Sequence, residues 1–410
     1  MSFERMDHVL TERLEALARA GTRKGAEAVT VGIVPAKGER GPRVRIEGEG
    51  ERLFLRMNSN GYLGLASHPE VVAAEERAAR AFGAGPQAVR FISGTFAPHV
   101  ALEQRLARFH GREAAMIYSS AYAAVMGVLP PLVDEQTAVI SDELNHNCII
   151  NATRLARPRR KEVYSHLDLA ALERCLDAAA ADCRRAIVVT DGVFSMRGDH
   201  APLDRLADLA DVFDARFAEG VVLLVDDSHG VGAFGATGRG TEEVTRARAD
   251  VLIATLGKAL GVNGGYVVGS STLVDYLRET SPFYVYSNPI TPGEAAAAER
   301  AVELLDSDTG RERLAHLRAV TARFRTGLAK LGYESVPGEH PVVPVVVRDT
   351  PRTRALVEHL RRAGVLATGL AHPVVPRGEE EIRFQLCADH TRADVDAALA
   401  ALASFPGDRA

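Results

Sequence analysis

From about residue 60 to residue 295, short apolar runs alternate with stretches in which apolar residues recur every three or four positions. The runs are AAMIYS (114–119), TAVIS (137–141), AIVVT (186–190), VVLLVDD (221–227), DVLIAT (250–255) and GYVVGS (265–270). Their length and β-branched character predict buried strands. Segments with helical spacing, such as LDLAALERCLDAAAADC and PLDRLADLADVF, lie between several of them. Strands alternating with helices predict an α/β fold, a mostly parallel sheet with helices on both faces. Ahead of this region, MSFERMDHVLTERLEALARA predicts an amphipathic helix and GERGPRVRIEGEGERLFL (38–55) a short hairpin. Beyond it, a helical stretch over about 293–332 leads to PVVPVVV (341–347), a helix, VLATGL, EIRFQL (381–386) and a closing helix from Thr391. That tail predicts a smaller C-terminal α/β domain. The pattern divides the chain into a helix-and-hairpin segment (1–57), a large domain (58–292) and a small domain (293–410).

Composition narrows the class. The chain has 410 residues, 46% apolar and 25% charged, with a net charge of −5. That balance fits a soluble globular protein and gives no global basic surface for nucleic acid. No apolar run reaches the roughly 18–20 residues of a membrane span. The opening helix, with its mixed charge, does not read as a signal peptide. Four cysteines without a CxxC pair suggest neither a zinc site nor a disulfide framework, and a reducing cytoplasm is expected. Of 49 basic residues only Lys24, Lys37, Lys161, Lys258 and Lys330 are lysine, so an amine nucleophile has five candidates.

In open α/β sheets, ligands sit beyond the carboxyl ends of the strands. Five runs end in polar clusters: Ser119-Ser120-Ala121-Tyr122, Asp142 to His146, Asp191 to Ser195, Asp226 to His229, and Thr255 to Lys258. Most lysines are solvated surface charges, but Lys258 (TLGKALG) closely follows a fully apolar strand. Desolvation there favours the neutral amine and an imine-forming nucleophile. Asp226 has an ordinary reading as a turn or cap residue. An electron-sink cofactor such as pyridoxal phosphate, however, needs a carboxylate on its ring nitrogen. His229 then falls within reach of the phenolic oxygen, and His146 is the flat side chain to stack on the ring. Ala121 and Tyr122 open a helix whose N–H groups suit a phosphate, and Thr255 adds a hydroxyl. Gly230-Val-Gly232-Ala-Phe-Gly235 matches a dinucleotide fingerprint. Two aspartates precede it and no helix follows at once, which argues against nicotinamide or flavin.

Over roughly residues 50–405 the chain resembles the α-oxoamine synthases, fold-type I pyridoxal-phosphate enzymes. The segments that carry the resemblance are NSNGYLGLASHP (58–69), VRFISGT (89–95), YSSAY (118–122), SDELNHNCII (141–150), TDGVFSMRGD (190–199), VDDSHGVGAFGATGRG (225–240), TLGKALG (255–261) and PVVPRGEEEIRFQLCADHT (373–391). VRFISGT, the SDELNH segment and the PVVP tail look most like the glycine C-acetyltransferase branch. The resemblance implies a mostly parallel seven-stranded sheet and pyridoxal 5′-phosphate as cofactor. It implies that Lys258 forms the Schiff base, Asp226 holds the ring nitrogen, His229 meets the phenolic oxygen and His146 stacks. Ser195 and Thr255 would bind the cofactor, with Ala121 and Tyr122 at its phosphate. Ser287 and Asn288 match a pair that reaches the neighbouring subunit's cofactor, so a homodimer with shared sites is implied. Asn60 and Arg383 match the groups that hold the amino-acid carboxylate, and a bidentate guanidinium suits that task.

The activity implied is acyl transfer from a thioester, on coenzyme A or a carrier protein, to a small amino acid, with glycine and acetyl-CoA expected. Near alternatives are 8-amino-7-oxononanoate synthase, serine palmitoyltransferase and 5-aminolevulinate synthase. Alternatives of other classes are a pyridoxal-phosphate aldolase or aminotransferase on the same fold, and a non-catalytic cofactor-binding module. The chain departs from the family pattern at Val125 (usually Asn), Asn147-Cys148 (commonly Ala-Ser) and Gly61 (often Asn or Asp). The stretch 211–222 is a few residues longer than usual. The first three departures fall near the ring and the substrate mouth, so they bear on the choice of substrates.

Overall fold

The computed structural model describes residues 2–20, 22–23, 26–372 and 375–406. Lys24 and the first two residues of the PVVP tail, Pro373 and Val374, lie outside them. Strands β1 (Thr30–Val34) and β2 (Arg43–Ile46) form an antiparallel hairpin, followed by the two-residue β3 (Leu55–Arg56). The hairpin expected over 38–55 is therefore displaced: β2 pairs mainly with the upstream β1, and only Val44 bridges to Phe54. TVGIV carries no clear alternation, which hid β1 from the pattern.

The central sheet contains β4 (Ala114–Tyr118), β5 (Thr137–Asp142), β6 (Arg160–Tyr164), β7 (Arg185–Asp191), β8 (Val221–Asp226), β9 (Val251–Thr255) and β10 (Gly265–Gly269). Their spatial order is β4-β10-β9-β8-β7-β5-β6. Every neighbouring pair is parallel except those of β10, which runs antiparallel to both β4 and β9. Alternate residues of the same strands enter different cores. Ile117, Ile140 and Val188 pack in one core, whereas Met116, Val139 and Ile187 pack in the other. Period-two alternation with both faces covered explains why the strands read as unbroken apolar runs. Each fully buried aliphatic side chain contributes about 1.5–3 kcal/mol. The edge strand β6, RKEVY, is half exposed and polar, and for that reason leaves no apolar run.

The helix Pro292–Leu305 packs on helices Pro69–Phe82 and Ala97–His110, and the helix Asp308–Lys330 packs on Arg392–Ala403. A second sheet has the order β11 (Val342–Val346), β14 (Glu381–Gln385), β13 (Thr368–Leu370), all antiparallel. β12 (Val365–Leu366) pairs in parallel with β3, so the N-terminal segment is tied to the C-terminal one. The helix Ser2–Arg19 exposes Phe3, Met6, Leu10, Leu14 and Leu17. Among the described residues no helix is long and apolar enough to cross a membrane.

Candidate active site

The parallel strands β5, β7, β8 and β9 end along one edge of the central sheet. Their carboxyl ends surround a cavity of about 250 Å3, lined by Ala121, Tyr122, His146, Ser195, Asp226, His229, Thr255 and Lys258. Ser120, Cys148, Asp191, Val193 and Ser228 complete its wall. All eight residues expected to bind the cofactor from within one chain thus share one cavity. Ser287 and Asn288 do not join them: they lie outside its lining, and Asn288 is exposed.

Lys258 is half-buried at the end of β9, just beyond Thr255. Burial holds its ammonium below the usual lysine value, while Asp226 and Asp191 pull it back up. Asp226 ends β8 directly across the ladder from Asp191, which ends β7. Asp226 Oδ1 accepts the Ser228 N–H at 3.1 Å. Burial and the neighbouring Asp226 push Asp191 well above the usual carboxylate range, and it accepts the His146 N–H at 2.9 Å. Asp191 is a strand-end residue to which the sequence pattern by itself gives no role. The signal was its kinship with Asp226, two acids closing adjacent strands.

His146 caps the helix Asn147–Ala156, its Nδ1 lying 2.9 Å from Cys148 Sγ and 3.3 Å from the Cys148 N. The Cys148 thiol in turn donates to Asp226 Oδ2 at 3.6 Å. On its open side His146 meets Tyr122 edge-on, 6.4 Å between ring centroids. Tyr122 Oη donates to Asn147 Oδ1 at 3.2 Å and accepts Asn151 Nδ2 at 2.7 Å. Both departures, Asn147 and Cys148, therefore touch residues of the cavity. Val125 does not: it is fully buried in the core beneath the helix Ala121–Val128.

Burial, reinforced by the Lys258 cation, holds His229 well below the usual imidazole value. Its Nδ1 lies 2.7 Å from Tyr62 Oη, and burial pushes the Tyr62 phenol upward. The phenol therefore stays protonated and hydrogen-bonds to Nδ1, with Asn60 Oδ1 3.5 Å from the same hydroxyl. Tyr62 lies within the quoted GYLGL run, yet sequence reasoning gave it no part.

Ser120 caps the helix Ala121–Val128, its Oγ accepting the Ala123 N–H at 3.0 Å. The first N–H groups of the helix have no intrahelical acceptor, which suits an anion. Gly265 of β10 makes room for this helix start, because a Cβ there would lie 2.2 Å from the Ala121 nitrogen. The glycine motif is a matter of packing. Gly230 clears the buried Asp227 carboxylate, which accepts the Thr241 N–H at 2.6 Å and the Thr241 hydroxyl at 2.7 Å. Gly232 and Gly235 adopt φ +77° and +86°. The segment forms turns until the five-residue helix at Thr241–Thr245.

Beside the cavity, Arg383 of β14 donates from Nη2 to Asn60 Oδ1 at 3.0 Å and from Nη1 to the Ser195 carbonyl at 2.9 Å. Asn60, Ser195 and Arg383 are thus brought together from three distant segments. Burial holds the guanidinium below its ordinary value. A larger cavity of about 520 Å3 opens from Ser195, between Phe194–Arg197 and the C-terminal segment. Glu381, on the Arg383 face of β14, lines it; it is buried, its Oε1 has no hydrogen-bond partner among the described residues, and burial pushes it up to about 7.

The site holds a half-buried amine, two acids, two imidazoles and a helix start with N–H groups free of intrahelical acceptors. That donor set fits pyridoxal phosphate: an imine partner, a ring-nitrogen partner, a flat contact and phosphate donors. Comparisons with known proteins agree. Residues 53–402 match the family model "Aminotransferase class I and II". The chain is 38% identical to the mitochondrial 2-amino-3-ketobutyrate coenzyme A ligase of Bos taurus, covering 95% of this chain and 89% of that protein. It is 40% identical to the 8-amino-7-oxononanoate synthase of Geobacter metallireducens, covering 98% of each. Among solved structures, the serine palmitoyltransferase of S. paucimobilis with bound PLP–myriocin aldimine is similar. Its TM-score is 0.86 at 25% identity, covering 98% of this chain and 97% of that one.

Proposed function

The chain belongs to the pyridoxal-phosphate-dependent α-oxoamine synthases, acyltransferase enzymes of fold type I, and we propose that it joins a small amino acid, glycine first, to the acyl group of a thioester, acetyl-CoA first. The observation that carries this reading is the meeting of the cavity with the Arg383–Asn60 pair. A half-buried amine and a buried acid lie beside a guanidinium able to grip a carboxylate.

Arg383 binds the substrate carboxylate with two parallel hydrogen bonds, and Asn60 and the Ser195 carbonyl fix the guanidinium's angle. Pyridoxal phosphate, when bound, supplies the electron sink for the carbanion at the substrate's α-carbon. Asp226 keeps the ring nitrogen's proton in place. His229, held by Tyr62, would contact the phenolic oxygen, and His146 would give a flat face. Ala121 and Tyr122 direct backbone N–H groups to the phosphate, with Ser195 and Thr255 beside them. Lys258, favoured as a neutral amine by burial, would form the imine with the cofactor and serve as the base for the proton on the substrate's α-carbon.

We read the enzyme as a homodimer with shared sites. Ser287 and Asn288 lie off the cavity of their own chain, and Phe91, Ile92 and Tyr286 are exposed apolar side chains. A cytoplasmic location fits four free cysteines. A second reading, a longer acyl donor, is favoured by the 520 Å3 cavity beside Ser195 and by the likeness to 8-amino-7-oxononanoate synthases.

Titrating the visible cofactor band of the holoenzyme with glycine, alanine and serine, then with acetyl-CoA, tests the reading. A shift with one amino acid followed by thiol release on adding acetyl-CoA is expected. A shift without thiol release moves the donor to a longer or carrier-bound acyl group. No shift with any amino acid overturns the proposal.

A further inference from the structure

His166 follows β6 and stands between two turns that border the site. Its Nδ1 lies 3.0 Å from Asp142 Oδ1 and its Nε2 3.3 Å from Asp199 Oδ2. Asp142 closes β5, and its carboxylate also accepts the N–H groups of Leu144 at 2.9 Å and Leu167 at 3.0 Å. Asp199 takes Arg197 Nε at 2.7 Å, and its backbone carbonyl accepts the Phe194 N–H at 2.9 Å. The Phe194 ring meets the imidazole edge-on at 4.4 Å. One side chain therefore ties the turn leading into His146 to the turn carrying Ser195. Leu167 next to it has φ +59°, a conformation that costs energy for a residue with a side chain. Such strain persists only where the surroundings over-determine the backbone, and it concentrates at functional sites.

Three further charged groups, Glu143, Arg197 and Glu381, bear on this contact. Glu143 accepts the His166 backbone N–H at 2.8 Å, Arg197 and Asp199 lie on the facing turn, and Glu381 of β14 feels both. Burial works against the charged imidazole, but hydrogen bonds to Asp142 and Asp199 overcome it and push His166 up to about 9. At neutral pH both ring nitrogens are then donors.

We propose that His166 is a positioning residue for the amino-acid substrate, clamping Asp199 so that the Ser195 carbonyl holds the Arg383 guanidinium at the carboxylate. The proposal rests on the reading of Arg383 given above and adds a residue that touches neither cofactor nor substrate. Because the raised imidazole is charged below about 9, both contacts are made there; as pH rises through 9 the ring keeps a single N–H and one of the two hydrogen bonds is given up.

The amide of asparagine reproduces the Nδ1 donor toward Asp142, and that of glutamine the Nε2 donor toward Asp199. Holoenzymes with His166, His166→Asn and His166→Gln are compared by titrating the cofactor band with amino acid between pH 7 and 10. His166→Asn is expected to weaken amino-acid binding about tenfold and His166→Gln at most about threefold, one charge-assisted hydrogen bond being at stake. Both should keep the cofactor. The wild-type loss of affinity above pH 9 should flatten in His166→Gln. Should His166→Asn not fold, Asp199→Ala removes the same contact from the other side and is expected to weaken binding to at least the same extent. Wild-type affinity in His166→Asn, or equal losses in both variants together with loss of cofactor, overturns the clamp. A wild-type band that no amino acid moves overturns the underlying function instead, and the clamp's substrate role with it.

Discussion

The two halves of the site are built differently. Asp226, Lys258 and their neighbours stand at the ends of adjacent strands in one sheet, whose ladder fixes their spacing. Arg383, Asn60 and Ser195 come from strand β14 and two separate loops; backbone hydrogen bonds from Gln385 to Met57 and from Ala388 to Tyr62 tie the Asn60 loop to β14, and the Arg383 side chain reaches Asn60 and the Ser195 carbonyl. The first arrangement is rigid because displacing one residue means breaking the sheet. The second is a joint between the large sheet and the small one. The proposed reacting centre thus sits at the ends of one hydrogen-bonded sheet, and the proposed carboxylate grip on contacts between separate segments of the chain.

That contrast is open to attack at three points. Lys258→Ala is expected to lower turnover by about 10²–10⁴-fold or more, since it removes both the imine-forming amine and the proton carrier. Steady-state rates and borohydride labelling of Lys258 check this, and a variant with normal turnover would dissolve the distinction. Arg383→Lys keeps the charge but not the fork, and should raise KM for the amino acid about ten- to a hundredfold with kcat little changed. A fall in kcat alone would move Arg383 to the reacting centre. The smallest effect is expected for Glu381→Gln. The wild-type carboxyl, raised to about 7, is fully compatible with the fold below its ordinary value near 4.5 and loses stability as pH rises through 7. The variant should therefore gain about 1–2 kcal/mol near pH 8 and almost nothing near pH 5. Thermal melts at the two pH values measure it, and equal gains at both would show that charge at the joint is not the cause.

Sequence made the rigid half legible and the joint obscure, for a physical reason. An apolar run that ends in Asp or in Thr-Leu-Gly-Lys announces both a buried strand and its polar tip, as at Asp226 and Lys258. The contacts of Arg383 span 188 and 323 residues of chain, and no local period encodes them. Only likeness to a family identified Arg383 and Asn60. The same limit hid the Tyr62–His229 pair, although both residues lay in quoted segments. Strand β6 was missed because an edge strand exposes every second residue and needs no apolar run. Cys148 stood out only as an unusual letter, until the fold set its thiol against Asp226.

Gly265 has no group with which to bind or react, and nothing in the chemistry above passes through it. Yet the helix that offers its N–H groups to a phosphate starts where the smallest side chain would have to stand. A change to alanine there would push backbone against backbone, with no flexible side chain to yield. The chain's tolerance for mutation is therefore not mapped by its reactive residues. A single methyl group at Gly265 would displace the backbone of the helix start, at a residue that a search for functional groups would pass over.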